Sequence, residues 1–241
     1  MHRRILILLL TLLTVLPAAA QQKVFLFSVG IADYPGWIND LSLTVNDAKR
    51  MKLLYQQNSN AEVKLLLNEE ATVDNILSGV RSFFAKASKD DIIVFFFSGH
   101  GLEGGFVAYD DLLTYDALKK AMGTSRSKNK MIFADACLAG GLRGGTNTVS
   151  PEHKNSNVML LLASRTNEIS YERPDLNMKN GLFTTCLLDA LRGKADTNRD
   201  RTITAKELFV YVSKNVALLS GDNQHPVAWG NFPDDMPVMK W

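Results

Sequence analysis

Cysteine is scarce in this 241-residue chain: Cys137 and Cys186 are the full complement. Two cysteines cannot make a disulfide framework, so the fold has to stand on a buried core. An excess of one charge is also missing. Lys and Arg number 27 against 25 Asp and Glu, a formal net charge of +2 that includes Arg3 and Arg4. So balanced a chain offers no electrostatic case for nucleic acid. Beyond the N-terminus no apolar run reaches the length of a membrane span. Internal repeats and low-complexity linkers are lacking too. What is present is globular in composition, 46% hydrophobic and 22% charged. That suits one large domain with a substantial core.

The N-terminus has its own pattern. His2, Arg3 and Arg4 precede an apolar stretch over 5–16, broken by Thr11 and Thr14, and then Pro17-Ala18-Ala19-Ala20. A short positive region, a short apolar core and small residues read as a secretory signal peptide, 1–20, cut after Ala20. A single domain over 21–241 follows. The expected location is secreted or periplasmic, with no membrane attachment once the signal is removed. No cysteine lies at the cut to carry a lipid anchor.

Along the domain, strand and helix signals alternate. Strands are expected over 24–31, 61–67, 91–97, 130–134 and 157–163. Helices are expected over 43–55, 73–87, 115–122, 181–191 and 204–220. Thr72 or Asp74 stands at the start of the second helix, and Thr204 with Glu207 forms a capping-box pattern at the start of the last. This rhythm predicts an α/β fold whose mostly parallel sheet is covered on both faces. Cys186 falls inside a helical pattern and is expected to be a small core residue.

Two of these strands end on reactive side chains flanked by glycine. One is Phe95-Phe96-Phe97-Ser98-Gly99-His100-Gly101. The other is Met131-Ile132-Phe133-Ala134-Asp135-Ala136-Cys137-Leu138-Ala139-Gly140-Gly141. Continuous apolar runs fit strands buried on both faces of a parallel sheet. Functional groups in open α/β sheets gather at the carboxyl ends of such strands. Taken singly, His100 and Cys137 are ordinary. Together they put an imidazole and a thiol at one sheet edge, as a Cys/His nucleophile pair requires. The segment 140–156, rich in Gly, Asn, Thr and Ser, is long for a loop, which points to function.

The motifs Ser98-Gly99-His100-Gly101 and Asp135-Ala136-Cys137-Leu138-Ala139-Gly140 resemble the two catalytic motifs of caspase-like cysteine peptidases: caspases, metacaspases and bacterial orthocaspases. The likeness extends to Val29-Gly30-Ile31-Ala32-Asp33-Tyr34 with Asn46-Asp47-Ala48, to Ala163-Ser164-Arg165 through Ser170-Tyr171-Glu172, and to Gly181-Leu182-Phe183-Thr184. It implies a caspase-like sandwich with a central sheet of about six strands and helices on both faces. It also implies a secreted cysteine endopeptidase in which Cys137 is the nucleophile and His100 the acid–base partner. The backbone N–H groups of Gly101 and Cys137 would form the oxyanion hole. In metacaspase-like members the aspartate two residues before the nucleophile lines the pocket for the residue before the scissile bond. Carried over, Asp135 implies cleavage after Arg or Lys. The alternative is that Asp135 holds the nucleophile loop by backbone hydrogen bonds. The sequence departs from many metacaspases just after the nucleophile, with Leu138-Ala139-Gly140 in place of His-Ser-Gly.

A peptidase of this kind needs no cofactor for catalysis and acts on peptide or protein substrates; a monomer is expected. Arg143 and Lys154, in the long segment, are candidate self-cleavage points. A second motif lies in Asp196, Asn198, Asp200, Thr202 and Glu207, which match a calcium loop except that Arg201 occupies its glycine position. A turn capped by Thr204 and Glu207 is the alternative reading. Two other functions remain open: a catalytically silent caspase-like binding or adaptor module, and a thiol hydrolase acting on non-peptide acyl groups.

Overall fold

The computed structural model describes residues 22–36, 40–102, 104–136, 158–164 and 179–241. Its strands and helices are β1 (Val24–Gly30), α1 (Thr44–Tyr55), β2 (Ala61–Leu67), α2 (Val73–Phe84), β3 (Ile92–Ser98), β4 (Gly101–Leu102), β5 (Gly105–Val107), β6 (Leu112–Thr114), α3 (Tyr115–Gly123), β7 (Asn129–Asp135), β8 (Val158–Leu162), α4 (Leu182–Asp189), β9 (Thr202–Thr204), α5 (Ala205–Leu219), β10 (Val227–Trp229) and β11 (Pro237–Lys240).

The central sheet has six strands in the order β10-β8-β7-β3-β1-β2. All neighbours in it pair in parallel except β10, which closes one edge antiparallel to β8. The inner strands are apolar because both of their faces are covered. Every residue of β1 and β3 is buried. Alternation then divides the core in two. Leu26, Val94, Phe96, Met131 and Phe133 join α1, α4 and α5 on one face. Phe25, Phe27, Phe95, Phe97, Ile132 and Ala134 join α2, α3 and the β4–β6 hairpins on the other.

Local signals account for the helix starts. The Thr72 hydroxyl accepts the Asn75 N–H at α2, and Thr204 with Glu207 makes a full capping box at α5. Such caps are each worth about 1 kcal/mol. The expected helix over 181–191 is α4 running on into a wide turn over Ala190–Lys194, in which Gly193 takes φ 107°. The small sheet β4-β5-β6, the β9–β11 ribbon and the edge strand β10 were not legible in the sequence. Their two- to four-residue strands are too short to show periodicity. No helix among the described residues is long and apolar enough to cross a membrane.

Candidate active site

The parallel register brings Gly30 opposite Ser98 and Ser98 opposite Asp135. The carboxyl ends of β1, β3 and β7 are therefore level. Backbone bonds tie these ends together: Gly99 N–H donates to Asp135 C=O at 3.2 Å and Ile31 N–H to Ser98 C=O at 3.0 Å. His100 and Cys137 each follow one of the register partners Ser98 and Asp135 by two positions in sequence. Cys137 itself lies outside the described residues, as do Arg143, Lys154 and residues 1–20.

His100 is held from both sides of its backbone. Its N–H donates to the Tyr34 hydroxyl at 3.0 Å, and its C=O accepts Val107 N–H at 2.9 Å. The same hydroxyl donates to Val107 C=O at 3.0 Å. The phenol thus sits inside the hairpin ladder, between the N–H and C=O that would otherwise pair directly. The Tyr34 ring also packs on the imidazole, with centroids 4.9 Å apart. Burial pushes its phenol well above the usual tyrosine range, although the His100 N–H opposes this, so it stays a neutral donor. Gly99 is required by this clamp: a Cβ there would meet the Tyr34 hydroxyl at 2.5 Å. Gly101 lies opposite Phe106, next to the bonded His100–Val107 pair. Alternation in an antiparallel ladder turns the Gly101 N–H away from the hairpin.

A pair of buried carboxylates lies on the α1/α4 side of the sheet. Asp135 is 6% exposed, and its Oδ2 accepts the Thr184 N–H at 3.1 Å and the Thr184 hydroxyl at 2.7 Å. Asp47, from α1, is 1% exposed. It accepts from Asn180 Nδ2 at 2.8 Å, Gly181 N–H at 3.1 Å and Ser98 Oγ at 2.8 Å. Burial, then the Asp135 charge, push Asp47 well above the usual carboxylate range; its hydrogen bonds from Asn180, Ser98 and Gly181 oppose them. Two buried carboxyl groups this close favour a shared proton or a cation between them. Asp47 was missed as a site residue in the sequence. It sat in a helical pattern beside Ala48 as part of a family likeness, and nothing local showed that α1 aims it at Asp135.

Other expected residues separate from this site. Cys186 is 3% exposed and packs in the α1/α4/α5 core, with burial pushing its thiol up to about 12. In the loop over 196–207, Asp196 accepts the N–H groups of Asp200 and Arg201, and Arg201 takes the left-handed φ of 67° at the glycine position. Asn198 and Asp200 cap one another and Thr202 N–H. Glu207 is committed to Thr197 and Thr204; partial burial works to raise it, but these bonds outweigh that and hold it below the usual range. Among the described residues no group of three or more His, Cys, Asp or Glu side chains is arranged to hold a metal.

A family profile described as the caspase domain matches residues 26–236. Similar solved structures include a protein of Geobacter sulfurreducens, with TM-score 0.67 and 16% identity, covering 91% of this chain and 97% of that one. They also include caspase-1 of Spodoptera frugiperda, with TM-score 0.66 and 15% identity, covering 92% of this chain and 93% of that one. No curated protein sequence matches the chain.

Proposed function

We propose, from the premise that the chain belongs to the caspase-domain family, that it is a cysteine endopeptidase cleaving after Arg or Lys. The carrying observation is the juxtaposition at one sheet edge: a clamped His100 two residues past Ser98, and the Asp47–Asp135 pair, of which Ser98 bonds the first and stands opposite the second. The pair would take the cationic side chain that precedes the scissile bond. Its Coulomb attraction for guanidinium is strong in so dry a place, and the same charge repels Asp or Glu.

In this reading the Cys137 thiolate attacks the substrate carbonyl. The Gly101 and Cys137 N–H groups take the developing oxyanion, as the direction of the Gly101 N–H allows. The C–N bond then breaks as His100 protonates the leaving amine. Water attacks the resulting thioester with His100 taking its proton, and the acid and free thiol are released. Thiol, imidazole and backbone amides suffice, without a cofactor. The pattern of residues 1–20 supports export before the enzyme meets its peptide or protein substrates, as a monomer.

The test is a set of peptides with Arg, Lys, Ala or Asp before the cleaved bond, given to the mature protein and to Cys137→Ala. Hydrolysis of the Arg and Lys peptides, abolished in Cys137→Ala, is the expected result. Full activity in the cysteine variant defeats the mechanism, and preference for Asp defeats the specificity.

A further inference from the structure

The carboxylate pair lies on the α1/α4 face of the sheet, and a cavity of about 490 Å³ lined in part by His100 lies on the other. This cavity lies on the face covered by α2, α3 and the hairpins, and Tyr34, Val107, Ala108 and Tyr109 belong to that second core cluster. His100 and Gly101 form its inner wall. It therefore begins where the proposed reaction needs its proton donor and its oxyanion donor.

Geometry assigns the two sides. A substrate chain must pass over the strand ends with its carbonyl at Gly101 and its leaving nitrogen at His100. The side chain before the scissile bond points toward Asp47 and Asp135. The residue after it leaves past the imidazole, onto the Tyr34 side, where the cavity opens. The walls there are largely apolar. Leu102 is 53% exposed, and Leu112 and Tyr109 are partly buried. Two exposed carboxylates, Asp110 and Asp111, stand at the rim. Each uses Oδ1 on a backbone N–H, of Val73 and Leu112 respectively. Neither pairs with a Lys or Arg among the described residues. Apolar walls ending in unpaired negative charge match a long aliphatic stem with a cationic head.

We infer that this cavity is the subsite for the residue that follows the scissile bond and that it selects Lys or Arg there. The inference rests on the peptidase reading above and extends it: the enzyme cleaves between two basic residues. Asp47 and Asp135 hold the first, and Asp110 and Asp111 hold the second.

The test uses internally quenched peptides, because a reporter placed directly on the scissile carbonyl replaces the residue in question. All carry Arg before the bond; Lys, Arg, Leu, Ala or Glu follows it. A chelating buffer keeps the rim carboxylates free of cations. The expected kcat/KM for Lys and Arg exceeds that for Ala by about tenfold, with Glu below Ala. In the double variant Asp110→Asn, Asp111→Asn the Lys-to-Ala ratio falls to about one. Leu102→Ser, at an exposed position, lowers Lys and Leu relative to Ala. Equal rates whatever follows the bond, or an unchanged Lys-to-Ala ratio in the double variant, overturn this inference and leave the peptidase reading standing. Failure to cleave any of the peptides overturns both.

Discussion

Asp47 and Asp135, one from a helix and one from a strand end, flank the same glycine. A Cβ on Gly181 would collide with Asp135 Oδ2 and stand 3.4 Å from Asp47 Oδ2. The chain therefore enters α4 through a gap between two acids, and glycine is the residue that fits. Gly181→Ala would force the pair apart.

The pair makes stability depend on pH in a defined direction. Asp47 in the folded protein is raised above its unfolded value near the ordinary carboxylate range. Between those two values the folded state holds a proton that the unfolded state has lost. Stability thus falls as pH climbs through that window and levels off above it. Asp47→Asn cannot ionise and keeps an acceptor for Asn180 and Gly181. Its melting temperature is expected to exceed wild type at pH 8 and to approach it at pH 4, with kcat/KM for Arg peptides down about tenfold or more. In the wild type, KM for Arg peptides should fall as pH rises, because a bound cation favours the ionised pair. Thermal scans at several pH values, beside kinetics, check both.

Tyr34 is expected to position His100 rather than react. Tyr34→Phe keeps the ring contact and removes the hydroxyl between His100 N–H and Val107 C=O. Leaving two backbone groups short of partners costs about 1–3 kcal/mol. The imidazole then loses its fixed aim, so kcat should fall about tenfold to a hundredfold while KM for Arg peptides, which the proposed carboxylate pocket would set, stays near wild type. An unchanged kcat with a lowered melting temperature would make the clamp purely structural.

Much of this was readable in advance, and the reasons differ by element. The inner parallel strands showed themselves because burial on both faces demands runs such as Ile92–Ser98. The α2 and α5 starts showed themselves because Thr72 and Thr204 cap within four residues. His100 stood out because glycines and a strand end surround it, and Asp135 because it stands two residues before Cys137 in the motif that resembles the family's. Asp47 and Tyr34 did not, because their partners are far off in sequence: Asp47 bonds Ser98, Asn180 and Gly181, and Tyr34 bonds His100 and Val107. The cavity beside His100 depends on hairpins of two or three residues per strand, which carry no periodic signal.

The two thiols should differ sharply toward alkylating reagents. Cys186 is buried and held protonated, with its thiol pushed up to about 12. The thiolate is the reactive form, and in the proposed dyad a partner imidazole would favour it at Cys137. Iodoacetamide at pH 7 should label Cys137 first and abolish activity in step, leaving Cys186 unmodified until denaturant is added. Cys186→Ala should keep activity and lose stability by less than a large core truncation. Peptide mapping by mass spectrometry reads both; labelling of Cys186 at the rate of inactivation would refute the assignment.

Self-cleavage is the remaining consequence of the proposed specificity. Arg143 and Lys154 lie in sequence between β7 and β8 and present the residue type that Asp47 and Asp135 would accept. Small polar and glycine residues around them favour nicking. A cut at either position leaves β1, β2, β3 and β7 on one fragment and β8 and β10 on the other. The fragments remain bound for a structural reason: β7 and β8 are adjacent parallel strands, paired from Lys130–Val158 to Ala134–Leu162. Asp135 on one fragment also accepts two hydrogen bonds from Thr184 on the other. Wild type should therefore give two species under denaturing conditions, with masses placing the cut after Arg143 or Lys154, yet one species of full size on gel filtration. Cys137→Ala should stay intact, and Arg143→Ala with Lys154→Ala should stay intact while still cleaving Arg peptides. A wild-type chain that remains a single intact species through the time course, while cleaving those peptides normally, refutes the processing step and leaves the peptidase reading in place.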